Sequence, residues 1–542
     1  MSQRGRDLLV LYMLGVAVNG AVAWLVRDPG YVDAAYYFNG GVALVEGRGF
    51  SEPYLWNYLQ APMGLPAPSF TYWQPLPALL AALGIALFGR WMPAFGAAQA
   101  VFVLLGAALP LISYALAEQI GRRQHALLAG LLTVFGGYYV VYWSLPESFT
   151  PFALAGAGAL MLAAAGRYSG RWWVWALAGV CAALAHLTRA DGALLIAVVM
   201  LTALLGEVTP PVLTSLPGSF PATQGGRGLR MGAALAGYLV VMAPWFARNM
   251  TLFGSPLAPS GLNTLWLVDY NDLFAYPPNL SPQRFFAAGW ATILHVRWQA
   301  LVGNLATFVG VHNLVFLTPF TLIGAWRRRE KRLLPALLYA PLLFAAMTFA
   351  FALPGLRGGW LHSGAALVPF VTASAALGLE DAIHWAAQRR GWQAGAAWRV
   401  FSAGSVALAA GVTAFAVLTR VVGLPDLHTV DWNRGGALYD EVDAALDDLG
   451  VPLEARIMSN NPPGLYLHSG RGGVPIPNGD EATLLKAADD YGVTFLVIDH
   501  NAPPSLERFY RDGPTSGRLV RLGRFGDEAA PVYLYRILPA EE

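Results

Sequence analysis

Residues 8–37 read LLVLYMLGVAVNGAVAWLVRDPGYVDAAYY. The first part of this stretch, residues 8–26, is almost wholly apolar and long enough to cross the hydrocarbon core of a bilayer as a helix. Arg4 and Arg6 precede it and no clear small-residue cleavage site follows, which predicts an uncleaved signal anchor rather than a signal peptide. Directly behind the predicted span comes Asp33, an acid at the membrane edge that is followed by two adjacent tyrosines.

The composition predicts a membrane protein. Only 13% of the 542 residues are charged, about half the usual share for a soluble protein. The mean hydropathy is +0.47, which argues against a soluble enzyme and indicates a polytopic membrane protein. The single cysteine, Cys181, excludes a disulfide framework and a cysteine-based metal site. The low charge density, with no basic run beyond one loop, argues against nucleic acid as a partner.

The charges divide the chain into two parts. Residues 1–420 carry 14 acids and 25 basic residues, whereas residues 421–542 carry 19 acids and 10 basic residues. The first part is predicted to be a transmembrane body with a long first outer loop at residues 27–93. The second part is predicted to be a soluble α/β domain, because helical stretches alternate there with strand-like ones such as Thr494–Asp499.

Apolar runs and basic loops predict the topology of the body. About eleven runs approach the ~20 residues that a spanning helix needs. They fall at residues 8–26, 94–118, 125–143, 150–165, 172–187, 192–206, 229–247, 299–325, 333–353, 363–385 and 398–420. Arginine and lysine concentrate in alternate short loops, so the positive-inside rule places the N-terminus in the cytoplasm and the C-terminal domain outside the plasma (inner) membrane. A further apolar stretch, Gln74–Gly89, is short and is predicted to be an interfacial or re-entrant helix.

Two acids on the predicted outer side are candidates for chemistry. Asp33 precedes an amphipathic stretch that Gly47 ends, and its position at the membrane edge suits a general base; the alternative is that it only caps a helix. Glu147 lies in a tight turn between two spans, and the alternative there is a first-turn acid favoured by the dipole of the next helix. Because the loop parity places both on one face, we expect them to share a cleft.

Three arginines at predicted outer helix ends suit a donor phosphate, because guanidinium groups bind phosphate oxygens in a bidentate way. They are Arg189, Arg248 and Arg357. Asp191 is an alternative partner for Arg189, because an unpaired charge beside two spans is costly. Anionic lipid headgroups are the alternative partners for such arginines.

The sequence indicates substrate-lining and metal-binding residues less specifically than it indicates the two acids. The residues predicted to line the substrate site are Tyr36, Tyr37, Tyr72, Trp73 and His362. Aromatic rings in the first loop suit sugar stacking, and an interfacial aromatic belt is the alternative. No histidine–acid pair has ligand spacing, so a divalent metal ion has little support, with Asp33 as its predicted carboxylate ligand. No nucleotide-binding motif is present.

Several motifs occur in an order known from one superfamily. They are Asp33 with Tyr36 and Tyr37, Gly47-Arg48-Gly49-Phe50, Tyr72-Trp73-Gln74-Pro75-Leu76-Pro77, Leu187-Thr188-Arg189 and Pro244-Trp245-Phe246-Ala247-Arg248-Asn249. Over about residues 1–380 the chain resembles the GT-C superfamily of membrane glycosyltransferases, near the protein mannosyltransferase and aminoarabinose transferase branch. The tail is similar to the extracytoplasmic domains of such enzymes in position and general type.

The resemblance implies transfer of a sugar from a polyprenyl-phosphate carrier, at the outer membrane face, to a lipid, glycan or protein acceptor. It implies that Asp33 is the catalytic base or a metal ligand, that Glu147 assists it and that Arg189 faces the donor phosphate. Attack from the face opposite the phosphate inverts the anomeric centre. Ala34 stands where the protein mannosyltransferases have a second acid, and this departure argues against protein Ser/Thr as the acceptor.

Two other functions compete with a transferase. A membrane transporter or lipid-linked sugar flippase is expected to carry polar residues near the bilayer midplane on broken helices, whereas the ionisable residues here gather at predicted helix ends. A non-catalytic assembly subunit that binds through its tail leaves the outward acids and arginines without a role. Among enzymes, a polymerase or ligase with a diphosphate-linked donor is a further alternative.

Overall fold

The computed structural model describes residues 1–60, 62, 64–169, 171–206, 226–328, 330–423 and 430–540. Helices dominate residues 1–422, and a five-stranded sheet with flanking helices forms the C-terminal part. Within the described ranges, seven helices are long and apolar enough to cross a membrane, and three apolar helices are shorter. The protein is therefore a multi-pass helical membrane protein with a C-terminal sheet domain.

The first half of the body contains ten helices among the described residues. They are α1 (Gln3–Leu25), α2 (Val32–Val45), α3 (Leu76–Phe88), α4 (Ala94–Gly106), α5 (Leu109–Ile120), α6 (Arg123–Val134), α7 (Phe149–Ser169), α8 (Trp172–Thr188), α9 (Ala193–Leu204) and α10 (Arg227–Phe253). The short helix predicted at Gln74–Gly89 is α3, with 13 residues. Strands β1 (Ser51–Glu52) and β2 (Ala67–Pro68) pair in an antiparallel way within the first loop.

The second half of the body contains nine further helices, some of them single turns. They are α11 (Pro259–Asn263), α12 (Pro282–Ala287), α13 (Gly289–Thr307), α14 (Thr318–Arg328), α15 (Leu334–Ala345), α16 (Ala352–Pro354), α17 (Trp360–Gly364), α18 (Val368–Arg390) and α19 (Ala394–Val417). Glycines let two helix pairs approach closely: Gly179 and Gly237 at the α8–α10 crossing, and Gly324 and Gly378 at the α14–α18 crossing, leave no room for a Cβ.

Two predicted runs differ from the helices that form. The run at 299–325 is divided between α13 and α14, because Leu314 and Val315 adopt positive φ angles of 49° and 63° and break the helix. The run at 125–143 forms only α6, since Gly137, at φ 61°, begins a separate turn that ends at Val141. The number of eleven full spans therefore stays a prediction.

Basic loops that were predicted to lie on one membrane side meet at one end of the helix bundle. Arg123 pairs with Asp7 at 2.6 Å, and Arg328 pairs with the buried Glu380 at 3.0 Å and with Asp381 at 2.7 Å. Arg122 and Gln124 also contact Glu380. These contacts agree with the alternating parity of the loops. Arg329, a member of the same basic run, lies outside the described residues.

The C-terminal domain is a mixed sheet between two helix layers. Its helices are α20 (Arg434–Asp448), α21 (Pro462–Ser469), α22 (Glu481–Tyr491) and α23 (Glu507–Asp512), and its strands are β3 (Arg456–Ser459), β4 (Gly473–Pro475), β5 (Val493–Ile498), β6 (Leu519–Phe525) and β7 (Val532–Ile537). The strand order is β4-β3-β5-β7-β6, with β3 parallel to β4 and β5, and β7 antiparallel to β5 and β6. Helices α20 and α21 cover one face, and α22 and α23 cover the other.

The domain docks on the first loop and on the end of α1. The edge strand β4 pairs with the loop, since Leu55 N–H donates to Gly473 O at 2.9 Å and Gly473 N–H donates to Pro53 O at 3.2 Å. His468 on α21 lies between Asp28, behind α1, and Asp440 on α20, at 2.9 and 2.8 Å; we call these three residues the His468 latch. Residues 424–429, which follow the predicted domain boundary, lie outside the described residues.

Candidate active site

Asp33 is the second residue of α2, at the end of the bundle that carries the first loop and the C-terminal domain. Gly30, at φ 78°, and the extended Tyr31 turn the chain from α1 into α2, so the carboxylate lies in the first helical turn, where the helix dipole favours an acid. Burial and the nearby Glu147 carboxylate raise the pKa of Asp33 to about 6. Asp33 also faces a cavity, which a helix cap alone would not require.

Glu147 is almost wholly buried in the turn before α7. It accepts hydrogen bonds from the Phe149 N–H at 3.1 Å and from the Ser148 hydroxyl at 2.8 Å, so it does cap the following helix. Burial opposes ionisation of the carboxyl, but His362, Arg189 and Ser148 prevail and hold the pKa of Glu147 below its usual range. The two carboxyls therefore differ: Glu147 is the more acidic, and Asp33 holds a proton more readily.

His362 on α17 joins the two acids. Its Nδ1 lies 3.3 Å from Glu147 Oε1 and 2.9 Å from Ser148 Oγ, and its ring stacks on Phe149 with centroids 3.9 Å apart. Because the single hydroxyl proton of Ser148 goes to Glu147, the contact to His362 requires a hydrogen on Nδ1. This leaves Nε2 free to exchange a proton or to bind a cation.

Asp33, Glu147 and His362 together form what we call the carboxylate–histidine cluster. Each offers one ligand atom, and these atoms all lie within 4.8 Å of one another. Two carboxylate oxygens and one imidazole nitrogen are a donor set that suits a divalent cation. Asp33 and Glu147 thus lie close together, and a cleft shared by both stays a prediction. His362, predicted only to line the substrate site, is a third member of the cluster that the sequence spacing did not indicate.

A cavity of about 530 Å³ opens beside the cluster. This volume lies within the usual range for small-molecule sites. Its polar and aromatic lining includes Asp33, Trp56, Tyr72, Trp73, His186, Arg189, Asp191, Tyr270, Phe274, Arg357, His362 and Asn460. Apolar side chains from several helices, Leu194, Met242, Met347 and Phe351 among them, form the rest of the wall. The cavity thus joins a charged end to an apolar wall.

Two of the three predicted phosphate-binding arginines line this cavity. Arg189 is paired with Asp191 at 3.2 Å, the alternative partner named from the sequence, and its Nε also donates to Ser363 Oγ at 3.2 Å. Arg357 lies over the ring of Tyr270 at 4.9 Å, and no carboxylate within the described ranges pairs with it. A glycine at φ 128°, Gly358, lets the chain turn from Arg357 towards His362.

Arg248 is not in the cavity lining. Its guanidinium donates to Ser69 O at 2.5 Å and lies 4.5 Å from the ring centroid of Trp245. Ser69 belongs to the first loop, so Arg248 fixes this loop on α10. A phosphate in the cavity does not meet this arginine in the conformation described.

The four predicted aromatic residues are divided between the cavity wall and the layer behind it. Tyr72 and Trp73 line the cavity, and Trp73 stacks on Trp56 with centroids 4.0 Å apart. Tyr36 and Tyr37 are buried and lie behind this wall, where Tyr36 accepts a hydrogen bond from Phe70 N–H at 2.7 Å and packs on Trp73. They support the wall rather than line it.

Several lining residues had no assigned role in the sequence interpretation, among them His186, Tyr270 and Asn460. His186, which bonds to the Tyr238 hydroxyl at 2.5 Å, is an isolated histidine near the end of a span, a common position for a core residue. Tyr270 comes from the loop between α11 and α12. Asn460 comes from the C-terminal domain, and no local sequence pattern connects it with the cavity residues of the membrane body.

Known structures share the whole architecture. ArnT from Cupriavidus metallidurans is similar in its apo form, with a TM-score of 0.56, 13% identity and 97% of each chain covered. Its complex with undecaprenyl phosphate has a TM-score of 0.54 and 13% identity, with 99% of this chain and 98% of ArnT covered. The chain has the GT-C fold.

A second GT-C protein, the archaeal oligosaccharyltransferase AglB from Archaeoglobus fulgidus, is similar over 98% of this chain and 74% of AglB. Its complex with an inhibitory peptide and a dolichol-phosphate gives a TM-score of 0.52 and 13% identity. A structure of the same organism's oligosaccharyltransferase with Zn and sulfate gives a TM-score of 0.51 and 14% identity. No protein-family profile and no curated protein matches the sequence. The fold that the resemblance implies is therefore confirmed.

Proposed function

We propose that this GT-C protein transfers a sugar from a polyprenyl-phosphate carrier to a hydroxyl group of an acceptor. The observation that carries the proposal is the carboxylate–histidine cluster beside a cavity that Asp33 and His362 line together with Arg357, an arginine with no carboxylate partner in the described part of the chain. Neighbouring structures bind undecaprenyl phosphate and dolichol-phosphate, which supports a lipid-linked donor. The positive-inside parity supports a reaction at the extracytoplasmic face.

The reaction needs a base at the acceptor hydroxyl. In the proposed mechanism, Asp33 removes the hydroxyl proton while the oxygen attacks the anomeric carbon, and the bond between this carbon and the phosphate oxygen breaks. The electron pair of that bond leaves on polyprenyl phosphate, and the proton stays on Asp33 until solvent takes it. Because oxygen attacks opposite the leaving phosphate, the anomeric centre is inverted. Glu147 and His362 lie beside Asp33 and are proposed to orient its carboxylate towards the acceptor hydroxyl.

The phosphate end of the cavity needs positive charge. A guanidinium already saturated by a carboxylate offers less to a new anion than one without such a partner. Arg189 is engaged by Asp191 and Ser363, whereas Arg357 is held only over Tyr270. We therefore assign the donor phosphate to Arg357, with Arg189 as a second positive charge nearby. The apolar wall formed by Leu194, Met242 and Met347 suits the first isoprene units of the carrier.

The excess of negative charge at the site favours binding of a metal cation. Three carboxylates (Asp33, Glu147 and Asp191) face two guanidinium groups, and a donor phosphate adds further negative charge. The donor set of the cluster fits a divalent cation, which Asp33, Glu147 and His362 would hold and which would supply Lewis-acid stabilisation to the departing phosphate. Removing the metal with a chelator and restoring Mn²⁺ or Zn²⁺ tests whether the cluster holds a cation.

The decisive experiment uses purified protein, polyprenyl-phosphate sugars of several kinds and membrane extract as acceptor, and follows release of free polyprenyl phosphate. We expect release by the wild type and none above background by Asp33→Asn. Asp269→Asn is the matched control, because Asp269 is an exposed acid of a neighbouring loop. If Asp33→Asn releases the carrier at the wild-type rate, the assignment of the base is wrong. Release by neither protein from any donor argues for a diphosphate-linked donor or for transport.

A further inference from the structure

The sheet of the C-terminal domain has a topological switch point directly above the cavity. The chain leaves β3 for α21, whose Leu465 packs on one face of the sheet with Ile457 and Val497. It leaves the adjacent parallel strand β5 for α23, whose Phe509 packs on the other face. Where neighbouring parallel strands send their connections to opposite faces, a crevice opens at their carboxyl ends, and ligands of open α/β sheets bind there.

Two polar side chains occupy this crevice. Asn460 is the first residue after β3, and Asp499 is the first residue after β5; we call this pair with its two loops the strand-end crevice. The Asn460 amide donates to Asp499 Oδ1 at 2.5 Å, and Asn501 N–H donates to the same oxygen at 2.7 Å. Asn461, not Asn460, caps α21, so the cap does not explain Asn460.

The crevice opens into the reaction cavity, because Asn460 is part of the cavity lining. Within the described residues, no donor reaches Asp499 Oδ2 or the amide oxygen of Asn460. Asn460 therefore lies at the wall of the cavity that Asp33 and His362 also line, and its partner Asp499 lies directly behind it with one carboxylate oxygen unused. The stacked rings of Trp56 and Trp73 and the ring of Phe274 line the same cavity as Asn460.

We propose that the strand-end crevice binds a carbohydrate acceptor through its hydroxyl groups. Sugar hydroxyls donate hydrogen bonds to paired acceptor oxygens, and the apolar faces of sugar rings pack on aromatic side chains. The negative charge of Asp499 repels phosphate, so the donor phosphate stays at the arginine end and the acceptor enters from the domain end. This inference rests on the proposed function and specifies its acceptor, which the sequence left open among lipid, glycan and protein.

The test measures sugar binding by saturation-transfer difference NMR on the full chain in detergent. The probe is a mixture of the methyl glycosides of mannose, galactose, glucose and arabinose, and a blocked tripeptide containing serine is the matched non-sugar probe. Removing the hydrogen bonds with Asn460→Leu or Asp499→Leu is expected to weaken the sugar signal about 5- to 10-fold. Asp512→Asn, an exposed acid at the end of α23, is expected to leave the signal unchanged.

The binding result of a variant is interpreted only if its thermal midpoint equals that of the wild type. If either single variant lowers the thermal midpoint, the double variant Asn460→Leu/Asp499→Leu replaces it, because it leaves neither partner buried without the other. The proposal is overturned if the wild type binds none of the glycosides, if both variants bind them normally, or if the tripeptide signal falls instead. Undecaprenyl phosphate affinity is measured on the same samples. Its absence in the wild type contradicts the proposed function, whereas normal lipid binding with unaltered sugar binding contradicts the crevice alone.

Discussion

The two ends of the helix bundle differ in how their charged side chains are paired. At the end formed by Arg123, Arg328 and Glu380, which we call the closed end, buried acids pair directly with arginines. At the end formed by the carboxylate–histidine cluster, the cavity end, Asp33 and Asp191 line a cavity of about 530 Å³ together with two arginines, and the Glu147 carboxylate lies buried beside Asp33. Paired charges without space stabilise a fold, whereas unbalanced charges beside a cavity cost stability and suit a ligand.

The largest expected contrast lies in Asp33→Asn. This variant removes a base and also removes one negative charge from an unbalanced cluster. We expect turnover to fall by about 10²- to 10⁴-fold, the usual contribution of a general base, while the thermal midpoint stays level or rises. Turnover and thermal unfolding in detergent are measured on one preparation, both with chelator present and absent. A fall in the midpoint together with turnover would mean that Asp33 is structural.

Glu380→Gln is the reverse experiment at the closed end. Glu380 is almost wholly buried and accepts from Arg122 and Arg328, so neutralising it weakens charge-assisted hydrogen bonds to a buried carboxylate, although Arg328 keeps its pair with Asp381. We expect the free energy of unfolding to fall by about 1.5–3 kcal/mol, with turnover per folded molecule unchanged. Glu118→Gln, in an exposed pair with Arg4 at the same end, is expected to cost less than about 1 kcal/mol. Equal losses in both variants would contradict the contrast between buried and exposed pairs at this end.

Hydrophobic runs and loop charges predicted most of the membrane body because both follow from local composition. The α/β character of the domain was likewise predictable from α20, α22, β3, β5 and β7. Strands β4 and β6 were missed: β4 has three residues in a glycine-rich segment, and β6 is largely exposed, carries a central glycine and has no regular alternation of apolar and polar residues. The break between α13 and α14 depends on the positive φ angles of Leu314 and Val315, which tertiary packing imposes and no propensity indicates.

The site was predictable only where one residue was informative by itself. Asp33 and Glu147 stood out because acids are rare in the body, and the parity of the loops placed them on one face. His362 joins them through the turn at Gly358, and Asn460 arrives from another domain, so neither follows from spacing along the chain. The three arginines looked equivalent in sequence. Only the structure separates Arg357, which lies free in the cavity, from Arg248, which holds the first loop.

Arg357→Ala tests that separation. Removing a charge-assisted contact to phosphate is expected to weaken undecaprenyl phosphate binding by about 10- to 100-fold. Arg420→Ala is the matched control, because Arg420 also lies over a tyrosine ring at the end of a helix, with 5.7 Å from Tyr138, but does not line the cavity. Affinity is measured by titration of purified protein with the lipid. A loss in Arg420→Ala as large as in Arg357→Ala would indicate a general surface effect rather than a phosphate site.

The His468 latch refines the comparison between the two ends. It also consists of a histidine and two carboxylates at the cavity end, but both of its ring nitrogens are hydrogen-bonded to a carboxylate. Burial opposes its protonation, but hydrogen bonds to Asp28 and Asp440 prevail and raise the pKa of His468 above its ordinary value of about 6.5. The latch therefore stabilises docking fully below about pH 6.5 and loses this contribution as the pH rises through the higher folded-state pKa. Neutralising it with His468→Gln should cost about 1 kcal/mol of local stability at pH 6 and less at pH 9.

Hydrogen–deuterium exchange of residues 25–31, where the domain meets the end of α1, measures this local stability at both pH values. His295→Gln, an exposed histidine of α13, is the control and is expected to leave exchange unchanged at either pH. If the difference between wild type and His468→Gln is larger at pH 9 than at pH 6, the latch is not held by a protonated histidine. If the difference is larger at pH 6, paired charges stabilise the fold at the cavity end as they do at the closed end. The two ends then differ because the carboxylate–histidine cluster has unbalanced charge beside a cavity, and not because of their position in the bundle.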